Sequence, residues 1–210
     1  MVKTKKILLI WITGFLLIQF SYPQEIKEEI SFNNKWSFGI GGGWFGIPKE
    51  ILDSLTYQCP SIEGATYGTR LEYEEGAGNV ISTIFLLSLN YGEMDGSGIW
   101  QFEKKSKAIK GRINFTQYSI TISTVFNFFD HSPINPYLGI GLGVGKLNIF
   151  VAGQLVQNIE VEEEDEVSLI LPVLHIPLGL RFKIKDVLNI KIETGFQNGF
   201  YASGILSFYF

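Results

Sequence analysis

From Trp36 to Phe210 apolar side chains return at every second position, and the positions between them are polar or bare. The first run places Trp36, Phe38, Ile40 and Trp44 on one face and Ser37, Gly39, Gly41 and Gly43 on the other. Tyr67, Thr69, Leu71 and Tyr73 then alternate with Gly68, Arg70 and Glu72, and Ile81, Phe85, Leu87, Leu89 and Tyr91 make a third face. A fourth run sets Tyr118, Ile120, Ile122, Phe126 and Phe128 against Gln117, Ser119, Thr121, Ser123 and Asn127. The fifth, PYLGIGLGVGKL, interleaves Leu138, Ile140, Leu142 and Val144 with Gly139, Gly141, Gly143 and Gly145. Three more follow around Leu174–Phe182, Leu188–Phe196 and Phe200–Phe210. A period of two is the signature of a strand with one buried face, so the chain reads as eight strands.

The spacing of these runs predicts long connections over 45–65, 92–113 and 150–167 and short ones over 74–79, 130–136, 185–187 and 197–199. Parity tests the last two short turns. Phe182 can face Ile190, and Phe196 can face Phe200, with all four on the apolar face, as hairpin register requires. Eight meandering antiparallel strands with one greasy face predict a closed up-and-down barrel. A soluble barrel would hide the aliphatic face, whereas a membrane barrel turns it to lipid and its polar face inward. Aromatic residues near strand ends and strands of about 9 to 11 residues favour the membrane. The glycines of the fifth strand would then face a lumen where eight strands leave room only for side chains.

An export signal points the same way. Lys3, Lys5 and Lys6 precede an uncharged apolar run from Ile7 to Phe20 and a polar exit, the order of a secretory signal peptide. We expect a signal peptide over 1–24, a periplasmic segment over 25–34 and a barrel domain over 35–210. Without 1–24 the chain keeps 14 basic and 21 acidic residues, a net charge of about −7, which argues against a nucleic-acid partner. Cys59 is the single cysteine, so no internal disulfide staples the fold.

With these features the chain resembles the small outer-membrane β-barrel proteins of Gram-negative bacteria, the OmpA-, OmpX- and OmpW-like group. The resemblance implies an all-β, eight-stranded antiparallel up-and-down transmembrane β-barrel with a structural or surface-interaction role. It further implies outer-membrane lipid and lipopolysaccharide as surroundings, and the outer-membrane assembly machinery as a partner. That machinery would read the C-terminal aromatic signal, here Phe208 and Phe210 of SFYF, although Ile205 stands where the family carries glycine. A narrow channel for ions or small solutes is the alternative, and a lipid-modifying outer-membrane enzyme the third reading.

Several residues could carry chemistry. Arg70, Glu72, Arg181, Lys183, Lys191 and Glu193 all fall on the inward face, where confined charges should pair. Arg181 is expected opposite Lys191, so a carboxylate must intervene, with Glu193 or Glu72 the candidate. Pro177 interrupts the sixth strand, and a bulge is expected there. His175 points inward with no serine or cysteine evident opposite it, and His131 and Ser132 share a short turn without a third group, so no catalytic residue is expected. GGGWFG at Gly41–Gly46 matches a dinucleotide fingerprint only in its spacing, because the required βαβ context is missing. Neither a cofactor nor a metal is expected. Two of the long connections differ in sign. One carries Lys104, Lys105, Lys107, Lys110 and Arg112, and the other Glu162, Glu163, Glu164, Asp165 and Glu166. Such loops could pair over the mouth, or meet lipopolysaccharide phosphates and bridging divalent cations respectively.

Overall fold

A computed structural model describes residues 34–75, 80–101, 103–104, 107–130, 132–155, 163–184 and 187–210, with the backbone alone at 154, 155 and 163. The expected signal peptide, His131, Lys105 and Glu162 lie outside the described residues. The alternating runs form strands β1 (Lys35–Ile47), β2 (Ile62–Glu75), β3 (Ile81–Trp100), β4 (Ile109–Phe128), β5 (Ile134–Leu155), β6 (Glu163–Ile184), β7 (Leu188–Gln197) and β8 (Phe200–Tyr209), with one helix, α1 (Lys49–Leu55), after β1. Each strand pairs antiparallel with its sequence neighbours, and β8 closes on β1. The predicted partners Phe182 and Ile190, and Phe196 and Phe200, do face each other. A cross-strand row leaving β1 at Trp36 passes Tyr73, Phe85 and Thr124 and rejoins β1 at Gly46, ten residues further along. That stagger is what tilts the strands of a closed barrel.

Two expectations are corrected. The stretches 92–113 and 150–167 are not long loops, because β3, β4, β5 and β6 run through most of them. β1 and β2 likewise extend into 45–65, leaving α1 and a short return. Nor does β6 bulge at Pro177. Its register with β7 is continuous, and on the β5 side the same offset holds at Leu138↔Leu178 and Gly141↔His175, with pairing lapsing only between them. The missing N–H thus costs two ladder positions on one side. Its ring is seated against Gly139, where an added Cβ would lie 2.9 Å from Pro177 Cγ.

β7 and β8 are half as long as β3 to β6, and they meet in a tight Asn198–Gly199 turn. Asn198 adopts φ 54°, the left-handed region that Asn enters more readily than most residues. β6 pairs with β7 only from His175 onward, so its stretch from Glu163 to Leu174 is strand-paired with β5 alone, with one bond at Pro172 O from Asn198 Nδ2 of the β7–β8 turn. The ring is complete in its lower half, where Lys35 and Tyr209 stand, and above it β3 to β6 project with a gap beside β6, whereas β1 ends one residue past its last pair with β8.

Solvent preference inverts along these strands. In the closed half, outward side chains are apolar and open, with Ile122 at 69% and Leu142 at 68% exposure. Outward aromatics fall in two sets, with Trp36, Tyr73, Phe85, Phe126, Phe182 and Phe208 below and Trp44, Tyr67, Tyr91, Tyr118, Phe196 and Phe200 above, as interfacial girdles do. Above them the outward positions turn polar at Glu63, Glu93, Asp95 and Arg112, and the inward ones turn apolar. Phe45, Leu52, Cys59, Ile62, Met94 and Tyr201 pack there as a core, with Trp100, Ile113 and Phe115 against it.

Candidate functional site

The lumen of the closed half is filled by charge in successive levels, most of them anchored on β2. Inward positions of a strand recur every second residue, so β2 presents Glu74, Glu72 and Arg70 in ascending order. Arg181 of β6 bonds Glu74 through both terminal nitrogens at 3.0 Å and also reaches Asp130, to which Lys183 donates as well. Tyr209 adds its hydroxyl to Glu74 at 2.8 Å. One level up, Lys191 donates to Glu72, which also accepts from Ser37 at 3.0 Å and Ser207 at 3.3 Å. Higher still, Arg70 forks onto Glu193 at 2.9 and 3.0 Å, and Tyr137 and Tyr201 donate to the same carboxylate at 2.8 and 2.9 Å. All four acceptor sites of Glu193 are occupied. Arg181 is fully buried and Glu193 is 1% exposed. Every level balances cations with carboxylates, the condition for tolerating buried charge.

The structure therefore brings all six predicted lumen charges inside and sets Arg181 opposite Lys191. It corrects which carboxylates intervene. Glu72 serves Lys191, but Arg181 is held by Glu74 and Asp130, while Glu193 belongs to Arg70. Charge counting could have found the missing pair, because four inward cations against two carboxylates demand two more.

His175 is also corrected. Ser123 Oγ lies 2.8 Å from its Nδ1, and Tyr201 Oη lies 3.0 Å from its Nε2. Tyr201 already donates to Glu193, so Nε2 must be the protonated nitrogen and Nδ1 must accept from Ser123. A directed chain of donors thus runs Ser123, His175, Tyr201, Glu193 across β4, β6, β8 and β7. Glycine makes it possible. Gly141 of β5 is the register partner of both Ser123 and His175, and a Cβ there would overlap the serine hydroxyl. Gly179 does the same beneath the Tyr137–Glu193 bond, where a Cβ would stand 2.6 Å from the phenol oxygen. Though serine and histidine are paired as in a nucleophilic site, both are buried among strands, and two cavities lined by these lumen residues measure about 10 and 20 Å³. Each has room for about one water.

The charged runs expected in loops sit mostly on strands. Lys110 and Arg112 belong to β4, and Glu163, Glu164, Asp165 and Glu166 to β6, while Lys104 and Lys107 occupy the β3–β4 connection. They do not face each other over a mouth. Arg112 and Glu164 are both partners of Ala152 on β5, so the two signs lie two strands apart on one sheet. At the C-terminus Phe208 is outward and half-exposed, and Phe210 N–H donates to Trp36 O at 3.0 Å. Among the described residues, no cluster of three metal-ligating side chains occurs.

A closed eight-stranded ring, apolar outside and polar within over the height of two aromatic girdles, defines a transmembrane β-barrel with a filled lumen. No family model matches the chain, and no curated protein matches it. Among solved structures it is similar to Ail, the attachment invasion locus protein of Yersinia pestis, in complex with the heparin analogue sucrose octasulfate, at 16% identity over 84% of this chain and 96% of that one, with a TM-score of 0.41. It is also similar to the N-terminal β-barrel domain of Pseudomonas aeruginosa OprF, at 15% identity over 85% and 98% of the two chains and a TM-score of 0.40. Neisserial surface protein A is a third, at 14% identity over 84% and 96% and a TM-score of 0.39.

Proposed function

We propose that the chain is a non-enzymatic outer-membrane barrel of a Gram-negative bacterium, with a lumen that serves as a structural plug and a projecting β3–β6 sheet that acts at the cell surface. The observation that carries this reading is the contrast between the two halves. Below, charges neutralise one another level by level and leave cavities of about 10 and 20 Å³. Above, strands of 20 to 22 residues extend well past the upper aromatic set and offer solvent a polar face. On that face Lys110 and Arg112, with Lys104 and Lys107 of the β3–β4 connection, suit phosphates of lipopolysaccharide, and Glu164 and Glu166 suit bridging divalent cations.

Reconstitution in planar bilayers separates this role from the channel alternative. Silent membranes, together with binding to vesicles carrying lipopolysaccharide that falls when the four basic residues become glutamine, support it. Discrete conductance steps that change in Arg181→Met or Lys191→Met would replace it with a channel. Altered lipid A or phospholipid after incubation with the protein would replace it with an enzyme.

A further inference from the structure

The outer surface of the closed half carries a groove of 740 Å³ whose walls are two ridges of side chains. The upper ridge follows one cross-strand row, Tyr67, Tyr91, Tyr118, Lys146 and Ile170, on β2 through β6. The lower ridge is the next outward row, Thr69, Leu89, Ile120 and Val144. Between them the floor is the backbone of Gly68, Asn90, Ser119 and Gly145, whose side chains, where present, turn inward. Two of these four positions are glycine, so the barrel wall is thin beneath the groove.

Strand tilt sets its direction. A row climbs as it passes round a staggered barrel, so the groove rises from Tyr67 at the upper girdle on β2 to Lys146 on β5. Four interstrand spacings make it about 19 Å long, within the span of a fatty-acyl chain. Its surroundings decide what kind of molecule fills it. Its lower ridge, Thr69, Leu89, Ile120 and Val144, lies on the lipid side of the upper girdle, so lipid rather than water covers that wall. Its high end decides the headgroup. Lys146 is exposed, pairs in register with Tyr118, and is the one charged side chain among the groove's lining residues. Glu93, on the next outward row up and two strands away on β3, is occupied by the Tyr91 hydroxyl at 2.7 Å. Tyr67, Tyr91 and Tyr118 form a continuous ring wall, with centroids 6.5 and 5.1 Å apart.

We propose that this groove is a binding site for one anionic phospholipid, with an acyl chain lying between the two ridges and the headgroup phosphate, its charge not offset by a cationic substituent, on Lys146. The site rests on the transmembrane reading of the fold and is separate from the basic residues of the projecting sheet. Lysine near a membrane surface favours an anionic headgroup several-fold over a zwitterionic one.

The full chain is refolded into nanodiscs of phosphatidylcholine with a minority of phosphatidylglycerol, extracted in mild detergent, and weighed intact with its retained lipid. One phosphatidylglycerol per chain is expected on the wild type, with retention reduced about five- to tenfold in Lys146→Gln. Val144→Trp, which fills the groove from its lower ridge, should lower retention of either lipid. Lys110→Gln, higher on the projecting sheet, should leave retention unchanged. Equal retention by wild type and Lys146→Gln, or no preference for phosphatidylglycerol over phosphatidylcholine, overturns the site. A chain that does not enter the bilayer, seen as a band whose gel mobility is indifferent to boiling, overturns the transmembrane reading itself.

Discussion

Glu193 is the most heavily bonded carboxylate of the lumen, and replacing it with glutamine changes the charge without changing the shape. Its two oxygens accept Arg70 Nη1 and Tyr137 on one side and Arg70 Nη2 and Tyr201 on the other. An amide has one oxygen and one NH2 group, so whichever way it turns, two incoming donors meet a donor. Arg70 keeps its charge at 10% side-chain exposure, and Glu193 contributes none. Removing one partner of a buried pair costs about 3–5 kcal/mol, two to three and a half orders of magnitude in the folding equilibrium at about 1.4 kcal/mol per decade. The assay is reversible urea unfolding in lipid vesicles, followed by fluorescence of the lipid-facing Trp36 and Trp44 and checked by heat-dependent gel mobility. The second arm is Arg70→Met combined with Glu193→Gln, which removes the stranded charge and leaves the amide oxygen free for Tyr201. That double variant should be more stable than Glu193→Gln alone by about 1–3 kcal/mol, a coupling of the size that charged neighbours show. A loss below about 1 kcal/mol in the single variant, or a double variant no better than it, would refute a lumen held by paired charge.

Glycine replacements should divide by face: Gly141→Ala removes the space under the Ser123–His175 bond and should lower stability by about 1–3 kcal/mol, whereas Gly204→Ala, with nothing within 4 Å of its new Cβ, should be neutral or gain up to about 1 kcal/mol in the same urea titration. Tyr201→Phe takes one donor from Glu193 and the acceptor from His175 Nε2, and a loss of about 1–3 kcal/mol is expected; an unchanged midpoint would mean the donor chain carries no stability. Truncation after Tyr209 should slow assembly in cells while leaving refolding from urea into detergent unaltered, measured as the ratio of heat-shifted to unshifted bands; equal slowing in both settings would assign Phe210 a folding role instead. Substituting Glu164 and Glu166 by glutamine should abolish any dependence of lipopolysaccharide binding on added magnesium, and a dependence that persists would place the cation elsewhere.

The ring of eight strands was legible because lipid enforces a strict period of two, and the parity of Phe182 with Ile190 and of Phe196 with Phe200 pinned register in the last two hairpins. The projecting halves were not legible as strands, and the reason is a change of phase. On β4 the outward apolar residues run through Ile122 and Ile120 up to Tyr118 of the upper girdle, but above it the apolar residues are Phe115 and Ile113, one position out of step. On β3 the shift falls between Tyr91 and Met94. When the medium outside changes from lipid to water, the greasy face must cross to the inside, and a fixed-phase reading sees the pattern dissolve into a loop. Glu74 and Asp130 escaped notice for a related reason, since each stands at a strand end where a carboxylate reads as part of a turn. Ser123 could not be matched to His175 because the two lie 52 residues apart, and only the Gly141 gap between them makes contact possible.

The order of charges along β2 bears on how the ring finds its own closure. Reading upward, β2 shows acid, acid, base at Glu74, Glu72 and Arg70, and the far side of the lumen answers base, base, acid at Arg181, Lys191 and Glu193. These partners are 107 to 123 residues away in sequence, so no rung forms until the late strands arrive. A slip of two residues would keep every side chain on its proper face, and hydrophobic patterning alone would not object to it. It would, however, bring Glu72 toward Glu193 and leave Arg181 without Glu74. The lumen is therefore a proofreading device, one that withholds its stabilisation from a misaligned sheet and grants it only when the first strands and the last have met in the right frame.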